Sequence, residues 1–286
     1  MSETSFNSLA DIIAHRYGKG VVGKGDSGRD MPIDDPLAKF ILRRTHRRYT
    51  DEPISDELLD VLFAAAFSAS AKSDLQQASV VVVKDKAKRQ AIQELIPSMP
   101  WIGSAAVFMI WVGDSRRIRR ICEHRGKPFG NDHLDAFLNA AVDAALAMQT
   151  FTLAAEAKGL GLCPISVVRN HLDAIRDILE LPLYTFPVAG LCVGWPSQEG
   201  FISMRLPPKV TVHTDRYDDW DLAEEVAGYD QRRDERYSIP SSSHRMNNVY
   251  GEAKFYGWSE DKAHQVSTAE RENLGRFVRA QGIRTD

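Results

Sequence analysis

The sequence has little of what marks metal-binding, secreted or membrane proteins. Only three of its 286 residues are cysteines, without CxxC spacing, which disfavours a zinc site or a disulfide framework. No apolar run approaches the roughly 20 residues that a membrane-spanning helix needs, and the N-terminus lacks the apolar core of a signal peptide. A net charge of −3 gives no reason to expect nucleic acid or an anionic membrane as a partner. We therefore expect a soluble, cytoplasmic protein with reduced thiols.

The composition is ordinary for a globular enzyme, with 43% hydrophobic and 26% charged residues. Residues 1–34 are polar and rich in glycine, and we interpret them as a mobile or draped arm. Residues 35–210 form the predicted core, and residues 211–286 form a C-terminal extension punctuated by proline and glycine. No Walker, Ser-His-Asp or zinc pattern is present.

Hydrophobic periodicity predicts helices and buried strands within the core. Ser55 is predicted to cap the N-terminus of a helix, because its hydroxyl can accept a bond from a first-turn amide. An alanine-rich helix over 134–158 ends at Gly159, and its length suggests a central or interface position. Further helices are expected from residue 36, over 86–96 and 172–179, and near 221–232 and 269–281, with strands at 80–83, 106–112 and 188–193.

The most informative segment is the basic run at residues 43–49, which carries four arginines just before the helix that Ser55 begins. Guanidinium groups match the oxygens of a phosphate bidentately, so this run favours a phosphate site. Two other interpretations are open. One is a solvated helix end, and the other is a nucleic-acid patch, although the aromatic interleaving of such patches is missing. A second basic run, at residues 116–120, is interpreted as a solvated helix face.

Four segments in order carry a specific resemblance. They are residues 43–54, 70–76, 159–166, and 190–196 followed by 205–207. These segments resemble, in turn, the opening motif, the Ser-rich loop, the post-helix loop, and the last core strand with its phosphate arginine in the FMN-dependent nitroreductase family. The ending resembles the larger NADPH-preferring nitroreductases and flavin reductases. The resemblance covers roughly residues 36–283.

The resemblance implies an α+β fold with a mainly antiparallel sheet flanked by helices, in an intertwined homodimer. It further implies FMN sites lined by both subunits and a C-terminal extension that packs on the partner. The implied function is an FMN-dependent oxidoreductase that uses NAD(P)H, with NADPH favoured, to reduce nitroaromatics, quinones or flavins by a ping-pong hydride mechanism. The flavin carries this chemistry, so we assign no catalytic side chain.

The resemblance also implies the residues of the site. The phosphate end is assigned to Arg43, Arg44, Thr45, Arg47 and Arg205. The ring end is assigned to Ala71, Gln76, Met99, Pro164, Ile165 and Ser166. Arg245 is assigned to the 2′-phosphate of the nicotinamide donor. For Gln76 the alternative is a satisfied polar residue at a strand end, and for Trp101, a candidate wall of the acceptor pocket, it is ordinary core.

Several positions depart from the family pattern. Ala71 and Lys72 replace small hydroxyl residues, and Lys72 fits either a charge near the flavin or a solvent-facing side chain. Ser166 and Val167 stand where relatives often carry glycines, and Ser203 replaces a common phosphate-binding lysine. The alternative functions are a member with a dedicated substrate, such as a flavin reductase, a dehalogenase or a natural-product dehydrogenase, and a non-catalytic FMN-binding protein.

Overall fold

The computed structural model describes residues 6–23 and 25–286. Residues 1–5 and Lys24 of the predicted arm lie outside the described residues. The elements in chain order are α1 (Leu9–Tyr17), α2 (Pro36–Leu42), α3 (Asp56–Ala66), β1 (Ala78–Val82), α4 (Lys86–Leu95), α5 (Trp101–Ser104), β2 (Val107–Asp114), α6 (Arg116–His124), α7 (Leu134–Ala157), β3 (Gly161–Ile165), α8 (Leu172–Leu179), β4 (Thr185–Gly194), α9 (Pro208–Thr211), α10 (Leu222–Tyr237), α11 (Asn247–Tyr250), α12 (Trp258–Val266) and α13 (Leu274–Ala280).

The chain divides into two compact units. The first unit contains the described residues up to Arg43 together with Ile202–Glu270, and the second contains Arg44–Phe201 and Arg271–Asp286. The division into an arm, a core and an extension at residues 34 and 210 is a different partition, and it stays a prediction.

Within the described residues, the second unit is built on an antiparallel sheet in the order β1-β2-β4-β3. Its central strands, β2 and β4, are buried along almost their whole length. At the β3 edge, Cys163 pairs with Cys192 and Ile165 with Gly190. The predicted antiparallel α+β fold is therefore confirmed.

Helices cover both faces of this sheet. On one face, α7 buries a side that includes Ala144, Ala147 and Phe151 against α3 and the strands. On the other face, α4, α5 and α8 pack over Phe108 and Ile110 of β2. The last helix, α13, packs within the second unit, where its Phe277 and Val278 are buried.

The first unit contains a helix that the sequence analysis did not predict. Ser8 and Asp11 cap α1 reciprocally, each side chain bonding the other residue's backbone amide. Leu9 and Ile12 are 2% and 1% exposed and pack against Ala38 of α2. The α1 residues are therefore not mobile, because their apolar side is buried. The interpretation of residues 1–34 as a draped arm stays a prediction.

Most of the remaining predicted elements are confirmed. Ser55 caps α3 by accepting the N–H of Leu58 at 3.2 Å. The helices predicted over 134–158 and 172–179 correspond to α7 and α8. Residues 161–165 were predicted as part of a loop and form β3 instead.

Candidate functional site

The predicted phosphate residues Arg44, Thr45 and Arg47 lie on an extended segment beside β3. Thr45 forms a parallel bridge with Leu162, and the N–H of His46 donates to the Leu162 carbonyl at 3.0 Å. The backbone of this basic segment is thus part of the sheet edge, which leaves its arginine side chains to project from a fixed base.

Two glycines allow the basic segment to lie so close to the sheet. A Cβ atom at Gly161 would lie 2.7 Å from His46, and one at Gly194 would lie 2.8 Å from the Tyr49 ring. Both distances are shorter than a carbon–carbon contact permits. Glycine at these positions therefore fixes where the arginines start.

The arginines of this segment have defined contacts. Arg44 donates to the Glu199 carboxylate and, at 3.1 Å, to the Gly200 carbonyl, and its side chain is 19% exposed. The guanidinium of Arg47 lies 5.6 Å from the centroid of the Trp101 ring, within the range of a cation–π contact. The half-buried Trp101 packs against the core and contacts Arg47 as well, so it does more than fill the core.

The other two phosphate candidates, Arg43 and Arg205, belong to the first unit. Arg205 donates to the hydroxyl of Ser203 at 2.6 Å. It lines a cavity of about 430 Å³ together with Tyr17 and Trp258. Ser203, which stands where a phosphate-binding lysine is common, thus orients the arginine two residues further on.

The loop before β1 has an unusual backbone. Ser73, Asp74 and Gln76 have φ angles of 48°, 57° and 52°. Each such residue costs about 1 kcal/mol or more when it is not glycine, and it persists only where its surroundings fix it. Groups elsewhere in the fold are therefore needed to hold this loop.

Two charged side chains hold the peptide bond between Gln76 and Gln77. Asp143 of α7, which is 3% exposed, accepts the N–H of Gln77 and the N–H of Lys72, both at 2.9 Å. Arg117 of α6 donates to the carbonyl of Gln76. A carboxylate thus binds one end of this peptide and a guanidinium the other, and charge-assisted bonds of this kind are the strong ones.

Arg117 is held in turn by its neighbours. Its guanidinium also donates to the Ala78 carbonyl at 3.1 Å, to the Ser79 hydroxyl at 2.7 Å and to the Asp114 carboxylate at 3.1 Å. The Arg117 side chain is 44% exposed, as expected for a solvated helix face, but its donors are also used within the protein.

A cavity of about 670 Å³ opens beside this loop. Ala71 and Gln76 are the members of the predicted set that line it in the described part of the chain. Its remaining lining is mostly small or polar and comes from Ala66, Phe67, Ser68, Ala69, Ser70, Asp74, Ala78, Ser79, Val80, Arg117, Asp143 and Ala147. Cofactor sites commonly measure 300–1,000 Å³, and small walls beside a fixed amide fit the planar ring of a flavin.

The other ring-end candidates lie elsewhere in the second unit. Pro164 is exposed on β3, whereas the side chain of Ile165 is 1% exposed and belongs to the core. Ser166 begins a 3₁₀ turn, Ser166–His171. Met99 packs against the cluster that contains Ile165, on the face of the sheet away from α7. For Ile165 only the backbone is left to meet a ligand.

Arg245 is anchored in the first unit. Its Nε donates to Asp261 at 3.0 Å, and its side chain is 51% exposed. Burial opposes the ionisation of Asp261, but the ammonium of Lys262 and the guanidinium of Arg245 hold the pKa of this carboxyl below its ordinary value. Asp261 binds the Nε of Arg245 and leaves the two terminal nitrogens at the end of a half-exposed side chain.

Sequence reasoning missed two residues that hold the candidate site. Asp143 stands among buried alanines on the inner side of α7, and a carboxylate at such a position was a usable signal because buried charges need partners. Arg117 gave no local signal, since its carbonyl partners come from a loop some 40 residues earlier in the chain.

Two family models together match most of the chain. The nitroreductase family model matches residues 42–195, and the model of the family's C-terminal domain matches residues 203–286. The chain belongs to the nitroreductase family. The prediction of the family is confirmed, and with it that of an NAD(P)H-dependent oxidoreductase with FMN as cofactor.

Relatives within the nitroreductase family match most of the chain. An FMN reductase [NAD(P)H] of Bacillus subtilis is 32% identical over 257 residues, which is 89% of this chain and 100% of the relative. An oxygen-insensitive NADPH nitroreductase of Salmonella typhimurium is 32% identical over 71% of this chain and 83% of its own length. The structure of B. megaterium NfrA2 has a TM-score of 0.79 at 31% identity and covers 88% of this chain and 99% of its own.

Proposed function

We propose that this nitroreductase takes hydride from NADPH and reduces nitroaromatics, quinones or flavins in a ping-pong cycle. Family membership supports the enzyme class and the cofactor. The observation that carries the proposal is the 670 Å³ cavity, whose small walls adjoin the fixed amide of Gln76. Anaerobic reduction of the purified protein by NADPH, followed by addition of a quinone, tests this function.

In this proposal the chain binds and orients FMN, and the bound FMN supplies the hydride chemistry. Guanidiniums bind a phosphate dianion strongly, through charge-assisted hydrogen bonds. The proposed phosphate ligands are Arg43, Arg44, Thr45, Arg47 and Arg205.

At the ring end, Gln76 offers both a donor and an acceptor on one amide, which suits the pyrimidine edge of a flavin. Asp74 accepts from its Nε2 at 3.0 Å, so the orientation of this amide is already set. Ala71, Met99 and the backbone of residues 164–166 are the other proposed ring contacts. FMN and water can supply the protons, so the proposed role of these residues is to position the flavin ring.

Arg245 supports a preference for NADPH over NADH. A half-exposed guanidinium whose Nε is fixed by Asp261 is preorganised for a second bidentate contact through its terminal nitrogens. The 2′-phosphate of NADPH is the group that distinguishes the two donors.

We further propose that the enzyme is a cytoplasmic homodimer. The outer side of α7 carries an apolar stripe, with Leu134, Leu138, Val142 and Leu146 between 42% and 55% exposed. This helix is long and apolar enough to cross a membrane by length and composition alone. Its inner side, however, buries Asp143 and packs on the sheet. A second copy of the chain is therefore the proposed partner of the stripe.

Because Asp143 and Ala147 of the same helix line the cavity, the partner would complete the FMN site.

Replacing Leu138 by glutamate is expected to convert the dimer to a monomer and to release FMN, because a charge would enter an apolar contact. Sedimentation equilibrium at micromolar concentration and flavin absorbance measure both effects. Leu183→Glu is the matched control, since Leu183 is 51% exposed against 55% for Leu138 and lies outside the stripe. A wild-type protein that sediments as a monomer would contradict the proposal.

A further inference from the structure

The segment that contains α1 lies outside both family matches, which begin at residues 42 and 203. It is nevertheless well anchored. Leu9 and Ile12 pack on α2, and Arg236 of α10 donates to the carbonyl of His15. Since this packed segment precedes the residues that the family models match, its role is to be found in its contacts within this chain.

The reason lies at Arg16 in the last turn of α1. This arginine is 4% exposed, and its guanidinium donates to three backbone carbonyls. Its Nε donates to Ile41 at 2.7 Å, its Nη1 to Ser203 at 2.6 Å, and its Nη2 to Arg43. In return the N–H of Arg205 donates to the carbonyl of Arg16 at 3.0 Å.

These bonds hold the backbone at Arg43 and Arg205, the two proposed phosphate ligands in the first unit. The carbonyl of Ile41 is among the last of α2, which lack partners within the helix. By binding it together with the Arg43 carbonyl, Arg16 fixes how the chain leaves α2 at Arg43. In the segment that carries Arg205, Arg16 binds the Ser203 carbonyl and the Arg205 N–H, one on each side of Met204. The carbonyl of Met204 accepts from the Tyr229 hydroxyl at 3.2 Å.

We infer that Arg16 is a positioning residue for the phosphate end of the FMN site, acting through the backbones of Arg43 and Arg205. A buried guanidinium bonded to carbonyls holds its partners firmly, because each bond is charge-assisted and shielded from water. The N-terminal segment thus serves cofactor binding from outside the family region. This inference rests on the proposed function, since it takes FMN as the ligand of these arginines.

The test compares FMN with riboflavin, which has the same ring and lacks the phosphate. Dissociation constants are measured on apoprotein by quenching of flavin fluorescence, for wild type, Arg16→Met and Arg16→Lys. We expect Arg16→Met to weaken FMN binding about tenfold, the loss typical of a hydrogen bond to a charged group, and to leave riboflavin binding unchanged. Arg16→Lys, which keeps the charge but has no planar fork, is expected to fall in between.

Arg236→Met is the matched control, because it removes another arginine that ties α1 to the unit without touching Arg43 or Arg205. It should keep the wild-type ratio of FMN to riboflavin affinity. An Arg16 variant that weakens both ligands equally, or neither, overturns the inference. If Arg16→Met does not fold, Arg16→Lys decides by the same ratio. The phosphorus NMR shift of bound FMN is a second readout, and a purely structural role would leave it unchanged.

Failure of the proposed function gives a different result. In that case the wild-type protein itself binds no flavin, binds FMN and riboflavin equally well, or holds a flavin that NADPH does not reduce. The inference about Arg16 fails only when wild type prefers FMN and the Arg16 variants retain that preference.

Discussion

Replacing Arg205 by alanine is expected to weaken FMN binding about fiftyfold, because a charge-assisted contact to the phosphate is lost. Riboflavin binding should stay at the wild-type value, since the ring end is untouched. The side chain of Arg205 is exposed apart from its bonds around Ser203, so the melting temperature is expected to change little. Fluorescence titration of apoprotein with each flavin measures the two dissociation constants.

Arg120→Ala is the control for general loss of positive charge, because Arg120 lies exposed on α6. It should leave both affinities unchanged. Full flavin occupancy in the Arg205→Ala protein would show that the phosphate assignment is wrong.

Replacing Asp143 by asparagine is expected to weaken FMN and riboflavin binding by the same large factor, on the order of a hundredfold. Asparagine keeps the shape but would turn its NH₂ toward one of the two backbone N–H groups that the carboxylate now accepts. One buried amide then lacks a partner, which also costs about 1–3 kcal/mol of stability. The loop with Ser73, Asp74 and Gln76 at positive φ would lose one of the two groups that hold it.

The readouts are the two flavin affinities and hydrogen exchange at the amides of Lys72 and Gln77. Both amides should exchange faster in the variant. Asp135→Asn, in the exposed first turn of α7, is the matched control and should behave as wild type. Equal affinities for Asp143→Asn and wild type would mean that the Asp143 contacts do not shape the ring end.

Local sequence patterns predicted the elements whose residue types by themselves indicate a strand or a helix start. The valines at 80–83 mark a strand, although β1 is half-buried and not buried as predicted. The apolar run in β4 marks a buried strand, and Ser55 marks the start of α3. β3 was predicted as loop because residues 159–166 resemble the post-helix loop of the family, and proline and glycine are poor strand residues. Its position at the sheet edge is what tolerates Pro164, and an edge position arises from long-range pairing.

The candidate site divides in the same way. The four arginines of residues 43–49 and the glutamine at position 76 could be found by motif, since their chemistry is carried by residue type and spacing. Apart from Asp143, the groups that hold them could not be found from the sequence. Arg16 acts on carbonyls 25 to 187 residues away, and Arg117 on a carbonyl 41 residues away. Such contacts follow from the fold and have no signature in local sequence.

The visible absorption spectrum of the purified protein, before and after NADPH is added without air, tests the central claim most directly. The account predicts a flavin spectrum that NADPH bleaches and that a quinone then restores. A flavin spectrum that NADPH leaves unchanged would contradict the proposed reductase and favour an FMN-binding protein without turnover. A colourless protein that cannot be reconstituted with FMN would contradict the whole assignment.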